Sequence, residues 1–280
     1  MVGLCNPKEF RRLVSLPEIS AVELTYKVGS KTIVNAANIQ VNAGELVAVV
    51  GPNGAGKSTL IGLLAGDLNP TIGSVVISGI TVDSASKYSM AQLRTVMSQR
   101  MSVSFPFTVE EVVMMGRHPY QSGWRQATGD DRAIVTASME ETGVIEFKDR
   151  IYSTLSGGEQ RRVSLARAFA QKTDVLLLDE PTSALDIGHQ ELVMQRCREK
   201  ANCGQIVLVI LHDLNVAAAY ADKIAVMQKG KIVSYDIPNA VLVASDLEDV
   251  FDYPIIVIKH PKSGTPIVLP NSDTSYVKYN

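Results

Sequence analysis

The chain has 280 residues, 46% hydrophobic and 20% charged, with a formal net charge of −2. Near-neutrality argues against a dedicated nucleic-acid binder, which carries a basic excess, and the hydrophobic fraction argues against disorder. The length admits one large domain or two small ones.

The N-terminal stretch MVGLCNPKEFRRLV has no apolar core of the kind a signal peptide carries, and its glycine at position 3 misses the myristoylation pattern. A membrane-spanning helix needs roughly 20 consecutive apolar residues. The longest clean runs, Leu46–Val50 and Ile206–Leu211, have strand length. The cytoplasm is therefore the expected address. Cys5, Cys197 and Cys203 form no CxxC pair and read as reduced and inert.

Ile19–Val28 and Lys31–Val41 alternate in part around a Gly29-Ser30 turn, which predicts an antiparallel β layer. Glu45–Val50 is a continuous apolar run ending at a Gly-rich loop, and Ser58–Leu68 has the apolar spacing of a buried helix. Strand, loop and helix in that order open a parallel α/β unit. From about Met97 to Ser156 strands are scarce. Val109–Met115 and Asp131–Thr142 read as helices and His118–Gly129 as a loop, so a helical insertion is expected. The core resumes with a helix over Gly158–Ala170, a strand over Asp174–Leu178, a helix over His189–Lys200, a strand over Gln205–Leu211 and a helix over Leu214–Tyr220. Ile224–Gln228 and Ile232–Tyr235 read as a hairpin about Lys229-Gly230-Lys231. The tail from Tyr253, with four prolines, suits short strands.

Gly51-Pro52-Asn53-Gly54-Ala55-Gly56-Lys57-Ser58, followed by Thr59, fits G-x-x-x-x-G-K-[ST]. Small residues let backbone N–H groups wrap a phosphate chain, while a following helix points its positive end at the anion. Lys57 is expected on the β- and γ-phosphates and the Ser58 hydroxyl on Mg²⁺. Val175–Glu180 is an apolar run ending in two acids. A buried parallel strand would deliver Asp179 to its ligand-binding end, there to hold Mg²⁺, with Glu180 placed to orient or deprotonate a water. Alone, the pair is equally well a strand end with solvated acids. In Leu155-Ser156-Gly157-Gly158-Glu159-Gln160, Ser156 and Glu159 have capping-box spacing. Two glycines in a first helical turn, each costing about 1 kcal/mol, make sense if a phosphate must approach that backbone.

With these three segments the chain resembles the ATP-binding cassette (ABC) ATPases, over about Leu24 to Tyr235. The resemblance implies an α/β fold: a P-loop NTPase cassette with a RecA-like parallel-sheet core, an N-terminal antiparallel β layer and a helical subdomain. All 280 residues would form one domain, with 1–96 and 160–280 as the core lobe and 97–159 as the inserted subdomain. It further implies that Tyr26 stacks on adenine, that Gln99 senses Mg²⁺ and the transporter partner, and that Ser183–Asp186 crosses between subunits. His212 would contact the γ-phosphate, and Ser156, Gly157, Gly158 and Glu159 would meet ATP held by the opposite subunit of a homodimer. Taken singly, Tyr26 is a sheet residue, Gln99 a surface amide and His212 a structural histidine. His118, His189 and His260 receive no catalytic role, and His189 is read as solvated.

Among the uses of such an ATPase, chromosome proteins separate the two halves of the cassette with a long coiled coil, and translation factors carry two cassettes in one chain. Neither feature is present in the sequence. A nucleotide kinase would have no LSGGEQ. A transport subunit remains, on the cytoplasmic face of a bacterial membrane, with two permease subunits on separate chains, indirectly a substrate-binding protein, and no nucleic acid. The run from Phe105 to Pro119 resembles the helical subdomain of importers for iron-siderophores, haem and cobalamin. FPFTVEEVV and the tail from His260 to Pro270 are most similar to haem importers. A ferric-siderophore or cobalamin importer is the second choice.

Overall fold

A computed structural model describes residues 18–99, 105–121 and 127–272. Cys5, residues 122–126 of the expected loop and the last eight residues lie outside that range.

The chain opens with β1 (Glu18–Val28) and β2 (Lys31–Asn42), an antiparallel pair. β3 (Leu46–Val50) and α1 (Lys57–Ala65) flank the Gly-rich loop. β4 (Ile72–Ile77) and β5 (Ile80–Thr81) return to the first layer, giving a four-stranded sheet in the order β2-β1-β4-β5. Next come α2 (Lys87–Leu93), β6 (Arg94–Met97), α3 (Val109–Met114), a 3-10 turn over Met115–Tyr120 and α4 (Gly129–Glu141). α5 (Gly157–Ala170), β7 (Val175–Asp179), α6 (Ile187–Asn202), β8 (Ile206–Ile210) and α7 (Leu214–Tyr220) re-enter the core. β9 (Lys223–Gln228) and β10 (Lys231–Asp236) form the expected hairpin. α8 (Pro238–Val241), α9 (Ala244–Phe251) and a second hairpin, β11 (Ile255–Lys259) with β12 (Pro266–Pro270), complete the described chain.

The central sheet has the order β10-β9-β3-β8-β7-β6 and is parallel from β9 to β6. Its inner strands are buried on both faces, which is why they read as unbroken apolar runs. Along β3, Val47 and Val49 pack toward α1 and the antiparallel layer, while Leu46, Ala48 and Val50 pack the other way against α5, α6 and α7. β7 and β8 alternate likewise. A third core joins α3, α4 and one face of α5 through Val109, Val113, Val135, Met139, Val163 and Ala166. The opposite face of α5, through Leu165, Ala168 and Phe169, belongs to the central core. α5 is thus the shared wall between the helical layer and the sheet.

The expected loop from His118 begins as a turn with a buried anchor. Arg117 Nε donates to Asp131 Oδ1 at 2.8 Å, one Nη donates to the Ala170 carbonyl at the end of α5, and the guanidinium lies 4.2 Å above the Tyr120 ring. Asp131 also accepts from the main chain and hydroxyl of Thr128, the N-cap of α4. One ion pair therefore ties together the start of α4, the end of α5 and the turn that follows α3. The hydrogen bond from Arg117 and those from Thr128 hold the Asp131 carboxyl down at about 2.

β3 can end only at a glycine. Gly51 has φ +142°, and a Cβ there would lie 2.1 Å from the Met227 carbonyl oxygen of the neighbouring strand. The main chain cannot retreat without breaking the β3–β9 ladder.

Two outcomes follow from these packing relations. Gly51→Ala is expected to destabilise the chain by at least about 3 kcal/mol, read as a lowered urea midpoint. Asp131→Asn is expected to lose roughly 2 kcal/mol at neutral pH, one pK unit being 1.36 kcal/mol. The folded-state value of Asp131 lies below its ordinary value of 3.8, so its stabilisation is full above about pH 4 and fades as the pH falls toward 2. Urea titrations of the wild type and Asp131→Asn should therefore converge over that window.

Candidate nucleotide site

From Gly51 the chain turns through Pro52 and Asn53, then through Gly54 and Gly56 with φ of +79° and +100°. α1 begins at Lys57 with Gly56 as its N-cap, which offers no side-chain acceptor, and no acid occupies its first turn. The first N–H groups of the helix and the positive end of its dipole are therefore left for an anion. The Ala55 carbonyl accepts from Gly230 N at 3.0 Å, pinning the loop to the β9–β10 turn. Asn53 and Gly54 are exposed on the rim, and Thr59 is half-buried inside the helix. Lys57 folds back over the loop, its Nζ donating to the carbonyls of Gly51 at 2.7 Å and Pro52 at 3.0 Å. Burial lowers its pKa, and the nearby charges of Glu180 and Asp179 oppose that shift.

β7 delivers Asp179 to the same sheet edge. It is 6% exposed, its hydroxyl partner is Ser58, and its Oδ1 is buried without a hydrogen bond. Burial raises its pKa, while the Ser58 hydrogen bond and the charges of Arg161 and Lys57 act in the other direction. The next residue, Glu180, has φ +53°, a left-handed conformation that L-residues with side chains seldom adopt. Its carboxylate is clasped on both sides. Gln99 Nε2 donates to Oε2 at 2.9 Å, and His212 Nε2 lies 2.6 Å from Oε1. These contacts follow from strand order: Gln99 lies just beyond β6, Glu180 beyond β7 and His212 beyond β8, three adjacent parallel strands. The main chain at Asp179 and Glu180 is held by Arg161 of α5, a residue that sequence reading passes over because nothing in its spacing marks it.

The remaining residues singled out in the sequence lie apart from this group. Tyr26 is half-buried in β1, paired with Val34 of β2 and packed on the first core. The carbonyl of Ile33, beside Val34, is the atom a Cβ on Gly56 would meet at 2.7 Å, so one strand separates Tyr26 from the loop. Ser156 caps α5 in a complete capping box with Glu159. The two glycines after it differ. A Cβ on Gly157 would meet nothing within 4 Å, whereas one on Gly158 would stand 3.1 Å from the Ala184 carbonyl. Gly158 thus has a reason within its own chain, the close passage of the Ser183–Asp186 loop. Asp186 caps α6 and accepts from the main chain and ring of His189, so His189 is hydrogen-bonded rather than merely solvated. Among the described residues no hydrogen bond joins Ser156–Glu159 or Asp186 to the phosphate loop. A single chain assembles the loop, Ser58, Asp179, Glu180, Gln99 and His212, without a hydrogen bond from the helix start at Ser156 among the described residues.

A family described as "ABC transporter" matches residues 34–183. The hemin import ATP-binding protein HmuV of Streptomyces coelicolor is 46% identical over 248 residues, covering 89% of this chain and 88% of the relative. The protein of that name from Gloeobacter violaceus is 39% identical over 267 residues, covering 93% and 96%. Among solved structures, an inward-facing metal-chelate type ABC transporter superposes with a TM-score of 0.79 at 25% identity, covering 93% of this chain and 99% of that one. The dimeric cassette MJ0796 superposes with a TM-score of 0.70 at 27% identity, covering 78% and 98%. The chain, with its phosphate loop, paired acids and clasped Glu180 on one sheet edge, belongs to the ABC transporter family and carries its ATP-binding cassette.

Proposed function

We propose that the chain is the ATP-hydrolysing motor of a haem importer. It works as a homodimer with two shared ATP sites, on two membrane permease subunits served by a substrate-binding protein, at the cytoplasmic face of the membrane. No helix among the described residues is long and apolar enough to cross a membrane, which is consistent with spanning subunits on other chains. Residues 97–159 are the helical subdomain that meets the permease; 1–96 and 160–280 form the nucleotide lobe.

The observation that carries the reading is the clasped Glu180 beside the phosphate loop. Phosphoryl transfer is mostly positioning and charge neutralisation. The Gly51–Thr59 loop cradles the phosphates, and Lys57 with the start of α1 neutralises them. Tyr26 supports the adenine end. Glu180, aimed by Gln99 and His212, orients the attacking water and takes its proton, and His212 steadies the γ-phosphate. Across the dimer, Ser156, Gly157, Gly158 and Glu159 of one subunit complete the partner's site, with Asp186 between the two. Mg²⁺ suits the residues present: an orphaned buried carboxylate oxygen on Asp179 beside the Ser58 hydroxyl is the donor set of a hard cation, with Gln99 within reach of the same edge. When bound, the ion supplies charge neutralisation on the phosphate oxygens.

The choice of haem rests on relatives of 38–46% identity that carry the hemin-import name. The metal-chelate structural neighbour supports a second reading, a ferric-siderophore or cobalamin importer, at the lower identity of 25%.

Glu180→Gln is expected to keep ATP binding within about twofold while turnover falls by a hundredfold or more, with a closed dimer trapped on size exclusion. Turnover near wild type would remove Glu180 from this role. Ser156→Arg is expected to leave nucleotide binding by the isolated subunit intact and to abolish ATP-driven dimerisation, checked by light scattering. For substrate, the complex reconstituted with its permease should show vanadate-sensitive ATPase stimulated by haem-loaded binding protein. Stimulation by a siderophore-loaded protein alone would transfer the assignment to the second reading.

A further inference from the structure

Arg161 lies in the second turn of α5 and is 8% exposed. Its guanidinium is spent on main-chain carbonyls. Nε donates to the Glu180 carbonyl at 2.8 Å, Nη2 to that of Asp179 at 2.6 Å and again to Glu180, and Nη1 to those of Ser98 at 3.2 Å and Gln99. Among the described residues it makes no ion pair with a carboxylate. The adjacent Arg162, about 100° further round the helix, donates instead to the Thr142 and Gly143 carbonyls of the helical layer. Two neighbouring arginines thus pin one helix on two different sides.

The identity of the four carbonyls matters. Those of Asp179 and Glu180 flank the φ and ψ of Glu180, so anchoring both fixes that residue's backbone. The left-handed conformation is strained for a residue with a side chain and persists only where the surroundings over-determine it. The Gln99 carbonyl belongs to the residue whose side chain donates to Glu180 Oε2. One guanidinium therefore holds both ends of the Gln99–Glu180 hydrogen bond. Its planar fork of five donors can span two strand ends at once, which a lysine ammonium cannot.

We propose that Arg161 is the positioning residue for Glu180 of its own chain and makes the placement of that carboxylate depend on the seating of α5. On the shared-site reading given above, on which this inference rests, the start of α5 closes over the partner's ATP. Each subunit's Glu180 is then set from the second turn of a helix whose first turn meets the neighbouring site.

Mixed dimers of differently tagged full-length chains test this. One site is silenced with Glu180→Gln, leaving one active Glu180, and Arg161→Lys is placed either on the chain bearing the active Glu180 or on the silenced chain. Single-site turnover is expected to be roughly tenfold or more slower in the first arrangement than in the second, as misplacement by about an ångström allows, with the KM for ATP within about twofold in both. Equal slowing in both arrangements would reveal a general structural role and overturn the proposal. So would equal, undiminished rates. If the control dimer with both Arg161 residues intact fails to form on adding ATP, the shared-site reading itself falls, and the proposal with it.

Discussion

Position 51 has no space for a side chain, and the nucleotide edge is built around that fact. β3 is locked into the sheet on both sides, so its carboxyl end comes up directly beneath the Met227 carbonyl. The chain must leave by a path only glycine can take. That path sets where the loop begins, hence where α1 starts, hence where Lys57 and Ser58 stand relative to Asp179. Strand order does the rest, since β6, β7 and β8 are consecutive neighbours whose ends carry Gln99, Glu180 and His212 to one point.

The two adjacent acids occupy different environments, and this divides their work. Asp179 is buried, its pKa is raised by desolvation, and it keeps an oxygen without a partner, which suits a cation ligand. Glu180 lies one residue on, turned by its left-handed backbone, with a nitrogen donor or partner at each oxygen.

Much of this was legible in the sequence because burial on both faces writes a strand as an unbroken apolar run, as at Leu46–Val50, Val175–Leu178 and Ile206–Ile210. The phosphate loop was legible because its glycines answer to sterics that any such loop shares. β4 and β6 were not. Ile72–Ile77 contains a glycine and a serine, and Arg94–Met97 is four residues long, so neither has a period to read. α9 buries only Leu247 and Val250, with Phe251 partly covered, amid four polar or acidic residues. The tail's hairpin was readable as short strands but not as a pair, since cross-strand register leaves no local trace. Of the site, residue types that carry chemistry announced themselves. Arg161 did not, because its partners are carbonyls, which every residue has, and the close passage of the Ala184 carbonyl beside Gly158 left no trace in the sequence either.

The grip of Lys57 on the Gly51 and Pro52 carbonyls bears on turnover. A loop that already holds its own shape does not have to be ordered by the incoming nucleotide, so little of the binding free energy is diverted into reorganisation. By the same token, departure of the product leaves the cradle intact. A cradle that keeps its shape does not need refolding before it takes up the next nucleotide.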